Sequence, residues 1–455
     1  MPYQSSHTPT TECISPVVLG FHREKPVVVT FDAPQLSSDA GVILLRQMDD
    51  KLGLSQSIAP LLTDDRNPIF VVHTRLEQLQ QRVYQIALGY EDCNDAARLR
   101  HDPLLKLACD SSPNAEGGLS SQPTLTRFEN AMDASSINKL CAAFEDQYVA
   151  ALAADTTEVI LDIDTTDDPT HGQQQLTFFH GFYDQHMYHP LMVFDARDGH
   201  LITVLLRPGN THASRSAMLV LRRLIRKIKS RFPSAQVLVR GDAGFCVPHI
   251  LLGMEALNNE LSEVDYLFGI AQNSRLLRAG SSFIKEAKNL FECGQAHVRM
   301  FGEFAYAAEG WPHTRRIVMK AEHSEKGSNP RFVVTSLQGF RAGEIYDGYC
   351  DRGQCENYIK DFKNALAADR LSCTNFVANA FRLWLHALAY RLMHALRQEC
   401  CTQLATVCFQ MDTLRLRLLK VAALVVESVR KVSVRLPSAF PFARLFADLS
   451  ARLQP

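Results

Sequence analysis

No run of apolar residues in this chain reaches the roughly 18 to 20 needed to cross a bilayer, so no membrane partner is expected. The opening, MPYQSSHTPTTECISP, lacks a basic segment followed by an apolar one, and no secretion signal is read there. Its first fifteen residues or so are polar and expected to be disordered. Net charge is equally scarce. With 48 Lys and Arg against 49 Asp and Glu the formal charge is −1, so affinity for a polyanion has to come from local patches. The twelve cysteines scatter from Cys13 to Cys408 without CxxC spacing, which argues against a zinc framework and for reduced thiols filling core positions. His186 and His189 make a poor metal pair, because an H-x-x-H spacing on a strand faces opposite ways. There is no internal repeat and no coiled-coil heptad.

What is present suits a soluble globular chain, 46% hydrophobic and 21% charged, whose 455 residues suggest roughly two to four domains. Residues 26–31 (PVVVTF) read as a strand, and Ser37-Ser38-Asp39 ahead of Val42, Leu45 and Met48 as a helix start. Thr74-Arg75-Leu76-Glu77 is a capping-box pattern before a long helix, Thr126-Arg127-Phe128-Glu129 repeats it, and another helix is expected over 136–154. Residues 1–155 are therefore mostly helical. The character changes at EVILDIDTT, an apolar strand punctuated by carboxylates. Two β-like runs follow at 176–189 and 191–206, then a basic amphipathic helix at 212–230, the strand QVLVR, Gly241-Asp242-Ala243-Gly244, a helix, and a strand at 264–271. This is an α/β pattern, a mixed sheet with an antiparallel edge. Residues 275–340 break the alternation and read as a β-rich insertion. Two helices come next, one around residue 356 and one over about 376–398. The tail, 411–455, carries eight Lys or Arg against three Asp or Glu and reads as basic.

Three places can carry chemistry. Asp162 and Asp164 lie two apart on one strand and share a face, where burial is costly without a cation or strong donor; the competing reading is a strand that ends in solvated turn residues. Asp167, Asp168 and His171 follow in a Pro-containing loop and read as turn residues. Asp242 ends the strand QVLVR at its carboxyl end, where open α/β sheets place functional groups, and an N-cap role competes. Finally Tyr349, Arg352, Glu356 and Lys363 fall within about 60° of one another on a regular helix, beside an apolar face of Cys355, Ile359, Phe362 and Leu366. A salt-bridged surface would look the same. Three acids from two strand ends and a helix could hold two Mg²⁺ ions.

The stripe reads Y-x2-R-x3-E-x6-K and resembles the signature of DDE transposases from bacterial insertion sequences. Separate blocks resemble the family with a group 1 transposase DDE domain: residues 87–103 (ALGYEDCNDAARLRHDP), 121–130, 161–172 (LDIDTTDDPTHG), 208–214 and 239–245 (VRGDAGF), so the likeness runs from about residue 28 to about 440. It implies an RNase H-like catalytic core over 156–274 and 341–400, a β-rich insertion at 275–340, a helical DNA-binding region at 1–155 and a basic helical region at 401–455. It further implies Asp164 and Asp242 as the catalytic aspartates and Glu356 as the glutamate, the same three holding two Mg²⁺ with Mn²⁺ as a substitute; Asp162 is the rival for the first position. Tyr349, Arg352 and Lys363 would contact phosphates at the scissile bond, and Trp311 could stack on a flipped base. The basic helix and the tail are further DNA-contact candidates, or else solvated amphipathic helices. The implied activity is cleavage at the terminal inverted repeats and joining of the 3′-hydroxyl ends to target DNA. The implied partners are double-stranded DNA and a second copy in the synaptic complex, and the implied location is the bacterial cytoplasm and nucleoid. A nuclease that cuts without joining, and a DNA-binding or inactive copy, are the competing readings.

Overall fold

The computed structural model describes residues 15–294, 296–404 and 409–454; the polar start expected to be disordered lies almost wholly outside them. Its centre is one mixed sheet whose main strands are β1 (Glu158–Thr165), β2 (Leu191–Asp195), β3 (Leu201–Leu205), β4 (Gln236–Gly241), β5 (Val264–Ile270), β6 (Val298–Tyr306), β7 (Arg315–Ser324) and β8 (Arg331–Thr335). They lie in the order β6-β7-β8-β5-β4-β1-β2-β3. β4 runs parallel to β1 and β5, and the remaining neighbours pair antiparallel.

Alternation along β1 decides what covers each face. Val159, Leu161 and Ile163 are buried with Val237 and Val239 of β4, under Leu221, Leu224 and Ile225 of α5 (Ala217–Arg231) and Leu251 and Met254 of α6 (Pro248–Leu261). Each such side chain contributes about 1.5–3 kcal/mol when fully buried. On the other face Leu267, Val318 and Val333 pack against Ile345 and Tyr346 of α8 (Ala342–Cys350), while Met192 and Phe194 pack against Cys355 and Ile359 of α9 (Gly353–Lys360) and Phe381 and Leu385 of α10 (Phe376–Leu404).

The N-terminal helices wrap α10. Leu79, Val83 and Ile86 of α2 (Arg75–Ala87) share its core, as does Phe144 of α4 (Ala134–Ala151), set edge-on to Trp384 at 5.2 Å; α1 (Val42–Leu52) adds Leu44 and Leu45. Thr74 caps α2 as its sequence pattern requires, accepting from the Glu77 amide at 3.1 Å. The second capping pattern fails. α3 spans Gln122–Asn130, started early by Pro123, so Thr126 is interior, and Glu129 is a buried partner of Arg82 at 2.8 Å.

Residues 274–340 open with two helices, Ser274–Ala279 and α7 (Ser281–Glu292), before strands β6 to β8, which extend the central sheet. The tail also differs from the helical expectation. Ala423–Ser428 and Lys431–Arg435 form an antiparallel hairpin that pairs with Leu36–Ser37: Leu424, Val425 and Val426 are β-favouring, and Val432 and Val434 alternate with polar residues at period two. Cys93, Cys109, Cys355 and Cys400 are buried thiols, but Cys293 and Cys350 are exposed and Cys401 is disulfide-bonded, so the expectation of reduced core cysteines holds only in part. Among the described residues no helix is long and apolar enough to cross a membrane.

A buried ion pair crosses the apolar layers. Arg240 lies opposite Asp162 in the β4–β1 register and clamps both carboxylate oxygens, at 2.7 and 2.9 Å, while its third donor reaches the Gly348 carbonyl of α8 at 2.7 Å. Both side chains are at most 5% exposed. Removing one partner strands a buried charge, so Arg240→Ala should lose about 3–5 kcal/mol in urea unfolding, and Arg240→Met with Asp162→Leu should recover most of it. A single-variant loss below about 1 kcal/mol would contradict this account.

Candidate active site

The parallel register that pairs Gly241 with Ile163 sets the next residues, Asp242 and Asp164, side by side at the carboxyl ends of β4 and β1. Asp164 accepts the Thr165 amide on one oxygen at 2.8 Å and the Arg352 guanidinium on the other at 2.9 Å. Asp242 caps a single 3₁₀ turn over Ala243–Phe245, accepting the Gly244 amide at 2.9 Å on one oxygen; its second accepts nothing from the described residues. Burial pushes the Asp164 carboxyl up to about 6; the negative charge of Asp242 adds to this, and Arg352 opposes it. Two carboxylates placed this way repel unless a cation or a proton lies between them.

The chain from Tyr349 to Lys363 is helical but not uniformly α. The amides of Arg352, Gln354 and Cys355 bond the carbonyls three residues back, and Asp361–Ala365 form one π turn. A 3₁₀ step eclipses residues three apart, which lays the Arg352 guanidinium over the Tyr349 ring at 5.8 Å. The π turn then re-aims Lys363, whose ammonium donates to the Asp167 backbone carbonyl at 2.9 Å and to its carboxylate at 2.7 Å. The narrow stripe expected of a regular helix is thus broken into two clusters. Arg352 and Tyr349 join the aspartates, Lys363 joins the neighbouring Asp167, and Glu356, one turn beyond Arg352, is exposed and meets no polar partner among the described residues.

Other expected residues lie elsewhere. Asp162 is held by Arg240, whereas Asp164 lies nearer the strand end beside Asp242. Trp311 is only 9% exposed, edge-on to Tyr306 at 5.8 Å with Arg315 over its ring at 4.9 Å, so little of the ring is open to a base. The basic helix α5 spends part of its charge on ion pairs, Arg223 on Glu145, Lys227 on Glu145 and Asp146, Arg226 on Glu260, while Arg222 stays exposed without an ion pair among the described residues. His186 is exposed and His189 buried, which keeps that pair apart.

Several participants carried no usable signal. Asp167 and Asp168 read as turn residues; Asp167 instead holds Lys363, and Asp168 is buried with both oxygens unpartnered, burial pushing its carboxyl well above the usual range. Gly269, at the end of β5, leaves room for the Tyr349 hydroxyl, which a Cβ there would meet at 2.4 Å. A groove of about 490 Å³ lined by Ala243, Gly269, Gln272, Lys320, Arg331 and Tyr349 opens beside Asp242.

One further group, Asp198, His200 and His394, has ligand atoms within 4.8 Å of one another. Arg397 lies 3.2 Å from His394 Nδ1, and a guanidinium can only donate, so that nitrogen accepts and Nε2 carries the proton. In that tautomer His394 offers a metal no lone pair, and two ligands remain. The aspartates 164 and 242 fit a divalent cation better: hard oxygen donors, adjacent, mutually repelling, one oxygen of Asp242 free.

No curated protein matches the chain. It is similar, at 10% identity and TM-score 0.43 over 92% of its own length and 86% of the other's, to the chain in the cryo-EM structure of the piggyBac transposase synaptic complex with hairpin DNA. The family described as transposase DDE domain group 1 matches residues 19–455. With that match over nearly its whole length, the chain belongs to the transposase DDE domain group 1 family and is a DNA-cleaving and -transferring transposase enzyme.

Proposed function

We propose that this transposase cleaves phosphodiester bonds at the terminal inverted repeats of a bacterial insertion sequence and joins the freed 3′-hydroxyls to target DNA, using Asp164, Asp242 and Glu356. The observation that carries the reading is the pairing of Asp164 with Asp242 at adjacent strand ends, bridged by Arg352 to the helix that bears Glu356. An RNase H-like core is supported by three antiparallel strands followed by two parallel to the first, in the order β3-β2-β1-β4-β5, with helices on both faces.

Two Mg²⁺ ions, or Mn²⁺ in their place, held by Asp164, Asp242 and Glu356 would supply an activated nucleophile and charge stabilisation at the leaving oxygen. The chain's own groups do the positioning. Arg352 Nε is buried without a partner, a donor that a phosphate oxygen would satisfy. Tyr349, fixed under Arg352 and over Gly269, closes the same side of the site. Lys363 reaches a phosphate only by leaving Asp167, so DNA entry and that ion pair compete. Synapsis of two ends calls for at least a dimer on double-stranded DNA. Action on its own element places the enzyme at the nucleoid.

Incubation with a terminal inverted repeat, a target plasmid and Mg²⁺ should give joined products. Cleavage without joining would mean a nuclease, and retention without cleavage a binder. Glu356→Gln should lose cleavage by at least about a hundredfold, and a wild-type rate would remove Glu356 from the reaction. Lys363→Ala should weaken end binding while leaving divalent-ion binding unchanged.

The Asp164 carboxyl gives a second test. Its folded value of about 6 lies above the ordinary 3.8, so its stability contribution is present in acid below 3.8 and lost as pH rises through 6. Without divalent ions Asp164→Asn should therefore melt higher than wild type at pH 7, by about 1–3 kcal/mol in stability, with the gap closing towards pH 4. Mg²⁺ should raise the wild-type melting temperature and leave the variant unmoved. An equal response of both proteins would place the ion elsewhere.

A further inference from the structure

Past the end of β1 the chain turns inward, and Asp168 pairs in register with Tyr188 in a small separate sheet. The residue is 1% exposed, and neither of its carboxylate oxygens has a hydrogen-bond partner among the described residues. A buried carboxylate is costly unless something of opposite charge or a set of donors meets it. A proton on it would be stranded too, as an O–H group with no acceptor within reach.

Beside Asp168 lies a void of about 10 Å³, bounded by Thr166, Asp167, Lys363 and Asp369 and by apolar walls that include Met192 and Phe362. That is room for one body the size of a water molecule. The side chains of Asp167, Lys363 and Asp369 are 26%, 18% and 29% exposed, so the polar side of the void meets solvent and its floor does not. Three carboxylates face one ammonium there. Lys363 Nζ lies 2.7 Å from Asp167 and 4.0 Å from Asp369, and it makes no hydrogen bond to Asp168. An excess of negative charge is left, with its most buried member unanswered.

The oxygens present select the occupant. A water would donate to Asp168 but leave its charge in place. A hard divalent ion sheds its own waters reluctantly and asks for several converging ligands. Asp167, Asp168 and Asp369 do not converge so closely: among the described residues the one group of three acids or histidines near enough to share an ion is Asp198, His200 and His394. A monovalent cation asks for less charge and takes neutral oxygens. Thr166 offers one, since its hydroxyl is held only slackly by Asp167, at 3.4 and 3.5 Å. We propose that this void is a monovalent-cation site, sized for K⁺, with the Asp168 carboxylate and the Thr166 hydroxyl as ligands. It is separate from Asp164 and Asp242 and stands whatever those two residues do. The seated ion ties the loop after β1 to the π turn that carries Phe362 and Lys363.

The test melts the full chain in EDTA at constant ionic strength while KCl replaces N-methyl-D-glucamine chloride, whose cation is too large for the void. K⁺ should raise the melting temperature saturably, by about 1–3 °C at tenfold excess over its dissociation constant. Asp168→Asn should abolish the response, and Asp164→Asn should keep it. Tl⁺ is a K⁺ surrogate, and thallium NMR of the unaltered chain should show a bound resonance that K⁺ displaces. Thr166→Val, nearly isosteric, should weaken that binding about tenfold, which locates the ion even if Asp168→Asn does not fold. Equal melting in the two salts with no displaceable resonance would overturn the site and leave Asp168 with a water or a proton. A K⁺ response that survives Asp168→Asn, or a thallium affinity unchanged in Thr166→Val, would place the ion elsewhere and overturn it as well. Loss of the response in Asp164→Asn instead would assign the ion to the pair of Asp164 and Asp242.

Discussion

The buried pair of Asp162 and Arg240 is the contact on which the geometry of this molecule turns. Most of the packing around it is by apolar area, which fixes distances loosely and directions hardly at all. Arg240 by contrast makes three directed bonds at 2.7 to 2.9 Å, two within the sheet and one to α8. The Gly348 carbonyl belongs to the last turn of that helix, where carbonyls lack intrahelical partners and a cation is favoured. The pair therefore sets the height and rotation of the helical segment above β1 and β4. Asp164 and Asp242 continue those two strands, and Tyr349, Arg352 and Glu356 continue that helix. A buried ion pair is a poor source of net stability. Here its benefit is registration.

Departures from ideal helix geometry follow from the same constraint. A regular α-helix from Tyr349 to Lys363 would set four polar side chains on one stripe, all competing for one site. The 3₁₀ step brings Arg352 over Tyr349 and onto Asp164, and the π turn sends Lys363 to Asp167 while Phe362 and Ala365 stay buried. Such segments cost hydrogen-bond quality and persist where tertiary contacts hold them. The buried Cys355 between them, beside Asp162 and Asp164, leaves the helix little freedom to relax.

These particulars mark how far the sequence could be read. The period-two run EVILDIDTT and the glycines around Asp242 made both strand ends legible, because alternation and turn chemistry are local. The different surroundings of Asp162 and Asp164 were out of reach: they share a face, and Arg240, which holds Asp162, lies on a strand that read as an ordinary apolar run. The 3₁₀ and π steps were equally hidden, being imposed by packing against β1 and α10. Trp311 was singled out by its residue type, and its burial depends on Tyr306 and Arg315, contacts no spacing rule anticipates. The 423–435 hairpin was missed through attention to charge, although its alternating valines were in view.

Charge is distributed unevenly in this nearly neutral protein. Three cations of α5, Arg223, Arg226 and Lys227, are paired with Glu145, Asp146 and Glu260, and Arg222 stays exposed. What remains near the aspartates is local: Arg352 with one unpartnered buried donor, and Arg331 with Lys320 along the groove beside Asp242. Those cations lie on the side of β5 and β8. Under the proposed reading, a strand laid across the two aspartates would draw on those few cations, and added salt would weaken that attraction.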